Sequence, residues 1–396
     1  MITQLSIQNF KSLRQVDITL RRLTLLTGLN SSGKSSVIQV LLMLRQSQES
    51  MLSYFQIVSN GVLLDLGTFD KLLYRKAAKK TFNFRIEDDR QNVLSIDTIE
   101  KHFLADSYIY VNLEGFQKNV ENSHVKLQIN GQNAGESAHF LRGRWIAQSL
   151  FNQHFQYLHP DRHFLIQPYY DPHIGEVIGN RALGFYGEHT PFFLITYKDH
   201  KITNTALHHP KAKSNNLLDQ VNAWLSEISP DVRVEINLVK QQVQLLFCYG
   251  DEEYEPDKVG FGVPYVLPVI VSLLMAEEGR MIIIENPESH IHPRGQVQLG
   301  RLMALAAEAG AQLIIETHSD HVLNGLRIAV REKQVQPEYL IAYYCRRDVS
   351  DGASTLFPIC IDAKAKLYQP MDDGTRNAAL PKGFFDEWTN SMAKLF

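Results

Sequence analysis

The sequence predicts an α/β protein in which a parallel sheet is flanked by helices, and three observations support this. A mostly apolar strand leads into a glycine-rich turn and then into a helix with almost no polar face (residues 23–44). Strand and helix patterns alternate again late in the chain, at 281–284, 296–309, 312–317 and 319–330. The 396 residues exceed the roughly 250–300 residues that one hydrophobic core serves, so we expect more than one lobe.

The composition is that of an ordinary soluble globular protein. There are 40 Lys and Arg against 43 Asp and Glu, a net charge of −3, and 44% of the residues are hydrophobic. This balance excludes a uniformly basic nucleic-acid wrapper. Cys248, Cys345 and Cys360 lie far apart, which argues against a disulfide framework and a cysteine zinc site. The opening residues alternate polar and apolar side chains, unlike a signal peptide, so we expect a cytoplasmic protein.

One uncharged segment, residues 261–276, needs a test for membrane insertion. It is shorter than the roughly 18–20 apolar residues of a spanning helix. It also contains Pro264 and Pro268. We therefore predict a buried helix that begins near one proline and kinks at the other, and no membrane partner.

The glycine-rich turn carries a phosphate-binding motif. Gly28 to Ser35 reads GLNSSGKS, which matches GxxxxGKS at each fixed position and lies between a strand and a helix. Backbone N–H groups of such a loop surround phosphate oxygens. Lys34 would reach the β- and γ-phosphates, and the Ser35 hydroxyl suits a Mg²⁺ ligand. The predicted nucleotide-binding residues here are Gly28, Asn30, Ser31, Ser32, Gly33, Lys34, Ser35 and Ser36.

Two later strands end in groups that could complete this site. The strand 281–284 runs into Glu285-Asn286-Pro287-Glu288. A carboxylate at that end can hold Mg²⁺ or its water, so Glu285 is the predicted metal ligand. The next strand ends at Thr317-His318, and His318 would contact the γ-phosphate or the attacking water.

A third glycine-containing segment, Val259-Gly260-Phe261-Gly262, opens the predicted buried helix. Two glycines at a helix N-terminus can form an anion site, which makes Gly260, Phe261 and Gly262 predicted ligand contacts. From the residues alone, a turn without a ligand is the commoner outcome.

These motifs in this order resemble the ABC-type ATPases, in the branch that contains SMC, RecF and OLD (overcoming lysogenization defect) proteins. Residues 7–13 resemble the opening strand of that branch, 285–293 its OLD-like carboxylate segment and 316–319 its histidine switch. Residues 259–262 would then be a degenerate signature motif. The resemblance implies ATP and Mg²⁺ as cofactors and places Lys11 and Ser12 beside the nucleotide. It implies catalysis by Lys34, Glu285, Asn286, Glu288 and His318.

A further resemblance, to prokaryotic ATPases often encoded in anti-phage defence cassettes, extends over most of the chain. It rests on residues 157–162, 184–188, 222–228 and 381–386. It implies an ABC-type P-loop head, with a mixed sheet flanked by helices and an antiparallel β lobe, plus an inserted α+β lobe. The expected parts are 1–95 and 246–345 for the head, 96–245 for the insert and 346–396 for a short extension. Heptads are absent and only 331–396 follow the last switch helix, so we expect neither a coiled-coil arm nor a nuclease domain.

From residue 46 to about residue 255 the local signals are weaker. We expect strands at 81–86, 108–113 and 125–129, and helices at 138–155 and 216–228.

By resemblance, two heads would dimerise head to tail around ATP and control a nuclease or toxin supplied by another chain.

The sequence departs from the family at Asn286, where most members have the Glu that polarises the attacking water. An amide orients water but accepts no proton. Either Glu288 or His318 substitutes, or hydrolysis is slow, and we favour slow hydrolysis. Pro264 stands where the signature usually has Ser.

Two alternatives remain open. Asn286 permits a largely non-catalytic scaffold or sensor that keeps ATP bound. DNA engagement is the other: residues 1–80 contain eleven Lys and Arg against four Asp and Glu, although a basic run is more often a solvated surface. Residues 251–290 have the opposite charge balance, nine acids against two bases.

His290 and His292 are expected in a loop that meets the partner head, rather than in a zinc site.

Overall fold

The computed structural model describes residues 1–54, 56–98, 108–117, 125–129, 149–162, 179–240 and 242–395. The chain divides into two units. The first consists of Met1–Arg21, Leu26–Asn152 and Tyr343–Pro358, and the second of Arg22–Leu25, Gln153–Ala342 and Ile359–Phe396. Each unit is described by itself below.

The described strands are β1 (Ile2–Phe10), β2 (Leu13–Thr19), β3 (Leu23–Gly28), β4 (Gln56–Val58), β5 (Asn83–Asp88), β6 (Val93–Thr98), β7 (Tyr108–Gln117), β8 (Val125–Ile129), β9 (Phe155–Leu158), β10 (Val232–Val239), β11 (Gln242–Tyr249), β12 (Glu252–Tyr254), β13 (Met281–Glu285), β14 (Gln312–Glu316), β15 (Leu340–Arg347), β16 (Ser354–Ile361), β17 (Leu367–Pro370) and β18 (Arg376–Asn377). The described α-helices are α1 (Lys34–Gln46), α2 (Gln48–Tyr54), α3 (Phe69–Leu72), α4 (Thr190–Tyr197), α5 (Leu217–Ile228), α6 (Gly262–Leu274), α7 (Pro293–Glu308), α8 (Asp320–Arg331) and α9 (Glu387–Leu395).

The first unit is built on an antiparallel sheet of order β2-β1-β5-β6-β7-β4, with β8 also paired to β7. The alternation seen in the sequence explains β1, which buries Ile2, Leu5, Ile7 and Phe10. The ring of Phe10 meets Phe82 and Phe84 edge-on, with centroids 5.6 and 5.5 Å away. These aromatic contacts fill the core beneath the sheet.

Helix α1 is enclosed on nearly every side, as its lack of a polar face predicts. It begins at Lys34, directly after Gly33, and buries Val37, Ile38 and the run from Val40 to Leu44. The helix is therefore fixed by packing, and its N-terminus is held at the glycine-rich loop.

The second unit contains the predicted parallel strands. β13 pairs in parallel with β14, from Met281↔Gln312 to Glu285↔Glu316, and its other neighbour is β9. The sheet has the order β18-β17-β16-β15-β3-β14-β13-β9, to which β3, β15 and β16 contribute residues 23–25, 340–342 and 359–361. The pairs β16–β17 and β17–β18 are antiparallel, so the sheet is mixed.

Helix α6 is the uncharged segment tested for membrane insertion. It starts at Gly262 and contains Pro268 in its interior, and ten of its side chains are buried in the protein. Among the described residues, no helix is both long and apolar enough to cross a membrane.

Helices α7 and α8 cross with their backbones in contact. A Cβ at Gly300 would lie 2.2 Å from the carbonyl oxygen of Val322, and a Cβ at Gly325 would lie 2.2 Å from that of Val297. Only glycine allows this approach at either position. α7 begins just after the carboxylate segment, and α8 begins with Ser319 as its N-cap, accepting from the Val322 N–H at 3.1 Å. The crossing therefore positions both segments.

The remaining predictions have mixed outcomes. The helix around Trp224 is confirmed as α5, and the strand 125–129 is confirmed as β8. The helix expected over 138–155 is wrong at its end, because residues 149–154 form turns and Phe155 begins β9; its residues 138–148 lie outside the described part of the chain. The division into four parts, with boundaries at 95/96, 245/246 and 345/346, stays a prediction.

Candidate functional site

The phosphate loop lies in the first unit, between the end of β3 and the start of α1. Gly28 and Gly33 have φ values of 140° and 100°, which side chains rarely adopt. A Cβ at Gly28 would lie 2.2 Å from the Cys345 carbonyl oxygen, and a Cβ at Gly33 would lie 2.6 Å from the Ser354 hydroxyl oxygen. The two glycines of the motif are therefore needed for close approach as well as for the turn.

The loop is curled around its own lysine. The buried Lys34 Nζ donates to the carbonyl oxygens of Gly28, at 3.1 Å, and Leu29, at 2.9 Å. The hydroxyl oxygen of Ser32 is buried and makes no hydrogen bond. The loop thus offers a cationic side chain and a buried hydroxyl, and it has no room for a Cβ at its glycines. Such a loop suits the binding of phosphate oxygens. The chemistry of the loop therefore fits a phosphate group.

The other predicted loop residues are more open. Asn30 and Ser31 are exposed at the tip, where Ser31 has a φ of 61°. Ser35 and Ser36 are half-buried in the first turn of α1.

Lys11 and Ser12, predicted by resemblance, lie beside this loop. Ser12 accepts a hydrogen bond from the Ser354 hydroxyl at 2.8 Å, and a Cβ at Gly33 would lie 3.0 Å from the Ser12 hydroxyl oxygen. Lys11 donates to Gln39 Oε1 on α1 at 2.7 Å, and burial lowers the pKa of its ammonium group. Ser354 is a contact that the sequence did not indicate, because it is far from the motif along the chain.

The carboxylate segment lies in the second unit, at the carboxyl ends of β13 and β14. Because Glu285 and Glu316 are register partners, their carboxyl groups lie close enough to hydrogen-bond. Burial, together with the neighbouring Glu316 carboxyl, raises the pKa of Glu285 to about 7. The Tyr157 hydroxyl donates to Glu285 Oε1 at 2.7 Å. Burial and the nearby Glu285 carboxylate raise the pKa of Tyr157.

Two adjacent carboxyl groups, the half-buried Glu285 and the buried Glu316, fit a divalent cation. Without a cation, a proton shared between two such carboxyl groups would relieve their repulsion. Oxygen ligands of this kind are those that Mg²⁺ prefers, and Glu285 is the member predicted to hold it. Glu316 ends the next strand at the same register, which is the signal that could have identified it.

Asn286 has an unusual backbone and a buried acceptor. Its φ is 46°, its N–H donates to the Glu316 carbonyl oxygen at 2.9 Å, and its side-chain Oδ1 is buried without a hydrogen bond. An amide oxygen held in this way can accept a hydrogen bond from a water molecule, but it cannot take up a proton.

The structure brings Glu288 and the His318 backbone into contact. Glu288 Oε1 accepts a hydrogen bond from the backbone N–H of His318 at 2.7 Å, whereas Oε2 is buried and makes no hydrogen bond. Burial is the largest cause of the raised pKa of the Glu288 carboxyl. The His318 side chain itself is exposed. Glu288 therefore fixes the histidine loop through its backbone and leaves the ring accessible.

The Gly260–Gly262 segment shows why one of its glycines is required. A Cβ at Gly262 would lie 2.4 Å from the His290 carbonyl oxygen, but the space at Gly260 is open. Phe261 is 79% exposed, so its ring is available to a ligand or partner. The His290 ring meets the edge of Tyr265, with centroids 5.1 Å apart.

The two histidines after the carboxylate segment have separate structural contacts. His292 caps α7 by accepting from the Arg294 N–H at 3.3 Å, and His290 packs on Tyr265. Among the described residues, one other group has metal-ligating side chains together: Glu235, Cys248 and Glu253. Burial raises the pKa of the Cys248 thiol, which disfavours a thiolate ligand.

Comparisons with known proteins fit this geometry. Residues 1–163 match a family described as an AAA ATPase domain. Residues 199–324 match one described as an AAA domain, putative AbiEii toxin, Type IV TA system. No curated protein matches the chain.

Two solved structures share the fold. The Smc head bound to the C-terminal winged-helix domain of ScpA is 12% identical with a TM-score of 0.52, and the match covers 91% of this chain and 98% of that chain. A Smc head with an extended coiled coil, bound to the C-terminal domain of ScpA from Pyrococcus furiosus, is also 12% identical, with a TM-score of 0.50 and coverage of 91% and 96%. The predicted head fold, with a mixed sheet flanked by helices, is confirmed.

The carboxyl pair predicts a pH effect on stability that does not depend on nucleotide. A Glu whose folded pKa is raised from 4.5 to about 7 stabilises the fold below pH 4.5 and loses that contribution as the pH rises to about 7. Because Gln carries no charge at any pH, the Glu285→Gln variant does not lose this stability as the pH rises. We expect its thermal midpoint in EDTA to exceed that of the wild type by about 2–6 °C at pH 7.5, and by less at pH 5. The exposed Glu278→Gln serves as control, and parallel pH profiles for wild type and Glu285→Gln would contradict the prediction.

Proposed function

We propose that this protein is an ABC-type ATPase that binds ATP with Mg²⁺, hydrolyses it slowly and uses the bound state as a switch. The observation that carries the proposal is the phosphate loop, in which Lys34 and Ser32 are both buried and a Cβ at Gly28 or Gly33 would clash with its neighbours. The family matches to AAA ATPase domains support the same activity.

In the proposed reaction, ATP and water give ADP and phosphate. Lys34 binds the β- and γ-phosphates, Ser35 and Glu285 are the residues that would hold Mg²⁺, and His318 approaches the γ-phosphate or the water. The cation supplies charge neutralisation at the phosphate oxygens. Asn286 orients the attacking water through its amide oxygen but cannot accept its proton, which accounts for slow turnover.

We also propose that two heads associate head to tail when ATP is bound, with Phe261 and its flanking glycines meeting the partner's nucleotide. Phe261 supports this because a large aromatic side chain is 79% exposed at a helix start. The associated state would control an effector from another chain, a nuclease or toxin, in anti-phage defence. The match to a family described by a putative toxin supports that role.

The activity rests first on Lys34. Lys34→Met keeps the volume of the buried side chain but removes its charged donors, so ATP affinity should fall at least about tenfold. Isothermal titration with ATP and Mg²⁺ measures this, with the exposed Lys79→Met as control. Equal affinity in Lys34→Met, or no ATP binding by the wild type, would refute the assignment.

Turnover rests on residue 286. Asn286→Asp keeps a short side chain that tolerates the left-handed backbone and adds a proton acceptor, so kcat should rise at least about tenfold. Steady-state phosphate release measures it, and the exposed Asn237→Asp is the control. An unchanged kcat would favour the alternative in which the protein is a scaffold that retains ATP, and would remove Asn286 as the cause of slow hydrolysis.

DNA engagement is a second candidate function because the basic cluster Arg75, Lys76, Lys79 and Lys80 is exposed. Charge contacts to phosphates make binding salt-dependent, with a slope of about 0.9 in log–log form for each contact. Replacing the three lysines by Gln should lower the slope of ATP-stimulated DNA binding. Lys364, Lys366 and Lys382 are exposed in the second unit and give the matched triple control. No binding by the wild type, or an equal effect of both triples, would exclude this role for the cluster.

A further inference from the structure

Arg162 is a buried arginine in the second unit that no motif of the sequence singles out for chemistry. Arg162 is only 3% exposed. Burial lowers the pKa of its guanidinium to about 10, so the group remains charged at neutral pH. A buried charge costs several kcal/mol unless hydrogen bonds offset its desolvation, so its contacts show what it does.

The guanidinium donates to backbone carbonyl groups on three separate segments. Nη1 donates to the carbonyl oxygen of Glu285 and Nη2 to that of Asn286, both at 2.7 Å. Nε donates to the carbonyl oxygen of Tyr265 on α6, at 3.1 Å, and Nη1 also reaches that of His159. Its plane lies over the Tyr265 ring, 4.5 Å from the centroid.

The two shortest of these contacts hold the turn that follows β13. The carbonyls of Glu285 and Asn286 both point at one guanidinium, which fixes the peptide between them. Asn286 has its left-handed backbone at this point. Hydrogen bonds from a charged donor are stronger than those between neutral groups. The planar guanidinium can also donate to two neighbouring carbonyl groups at once.

Tyr157, from the same short stretch of chain, holds the side chain that Arg162 leaves unrestrained. Its hydroxyl donates to Glu285 Oε1 at 2.7 Å, and Tyr157 as a whole is 2% exposed. The stretch from β9 to Arg162 therefore fixes the backbone of Glu285 through one residue and its carboxylate through the other.

We propose that Arg162 and Tyr157 are positioning residues that set the direction of the Glu285 carboxylate for Mg²⁺ and hold Asn286 in its left-handed turn. This inference rests on the proposed function, because it names the residues that orient the predicted metal ligand. Replacing a residue that orients a metal ligand typically lowers metal affinity or activity by about 10–100-fold.

The chain offers a matched control in Arg280. It is also buried, at 1% exposure, and burial lowers the pKa of its guanidinium to about 10. It precedes β13 at the opposite end of that strand and donates to the Arg181 carbonyl oxygen at 2.9 Å. Arg280→Lys therefore measures the general cost of changing a buried arginine beside β13.

The experiment compares wild type, Arg162→Lys and Arg280→Lys in the full chain. Arg162→Lys keeps the charge but loses the planar fork. We expect the Mg²⁺ concentration for half-maximal ATPase activity to rise about tenfold or more, or kcat to fall by that factor. ATP affinity measured in EDTA should stay within about twofold, because Lys34 is unchanged. Arg280→Lys should leave the Mg²⁺ dependence within about twofold.

Two further measurements keep the outcome decisive. Tyr157→Phe retains the ring and should show the Mg²⁺ defect even if Arg162→Lys folds poorly. Hydrogen–deuterium exchange of peptide 285–290 needs no nucleotide; Arg162→Lys should accelerate it and Arg280→Lys should not. If the wild type neither binds nor hydrolyses ATP, the proposed function fails. The hydrogen–deuterium exchange of peptide 285–290 still tests whether Arg162 positions the turn after β13. Equal effects of both arginine variants, or unchanged Mg²⁺ dependence in Arg162→Lys and Tyr157→Phe, would overturn the inference.

Discussion

The parallel register of β13 with β14 is the constraint on which the chemistry of the second unit depends. It makes Glu285 and Glu316 direct neighbours at the carboxyl ends of two apolar strands. The buried isoleucines of the strands hold that register, since a shift of one residue would turn each side chain to the other face. Burial, together with the neighbouring Glu316 carboxyl that this register places beside it, raises the pKa of Glu285.

The sequence predicted those parts of the site whose signals are local. The phosphate loop, the strand before Glu285 and the Ser319 cap each combine a short residue pattern with a strand or helix boundary. Such patterns describe interactions between near neighbours in the chain, which folding does not rearrange. Their bounds in the structure differ from the expected ones by only a few residues.

The residues that support the site could not be predicted in this way. Tyr157 meets Glu285 across 128 positions of sequence, and Ser354 meets Ser12 across 342. Nothing near them in the sequence indicates these contacts. The sequence did not predict β9 either, whose first residue, Phe155, falls within the helix expected over 138–155, because four residues with three apolar side chains show no clear period. Its parallel pairing with β13, rather than its local pattern, makes it a strand.

The glycine contact between α7 and α8 has a mechanical consequence. Where Gly300 and Gly325 meet, the two backbones touch with no side chain between them, so a side chain cannot adjust there to absorb a shift. The turn that ends at His292 and the loop that bears His318 lie at the starts of these two helices, so this glycine contact helps to set the spacing between them.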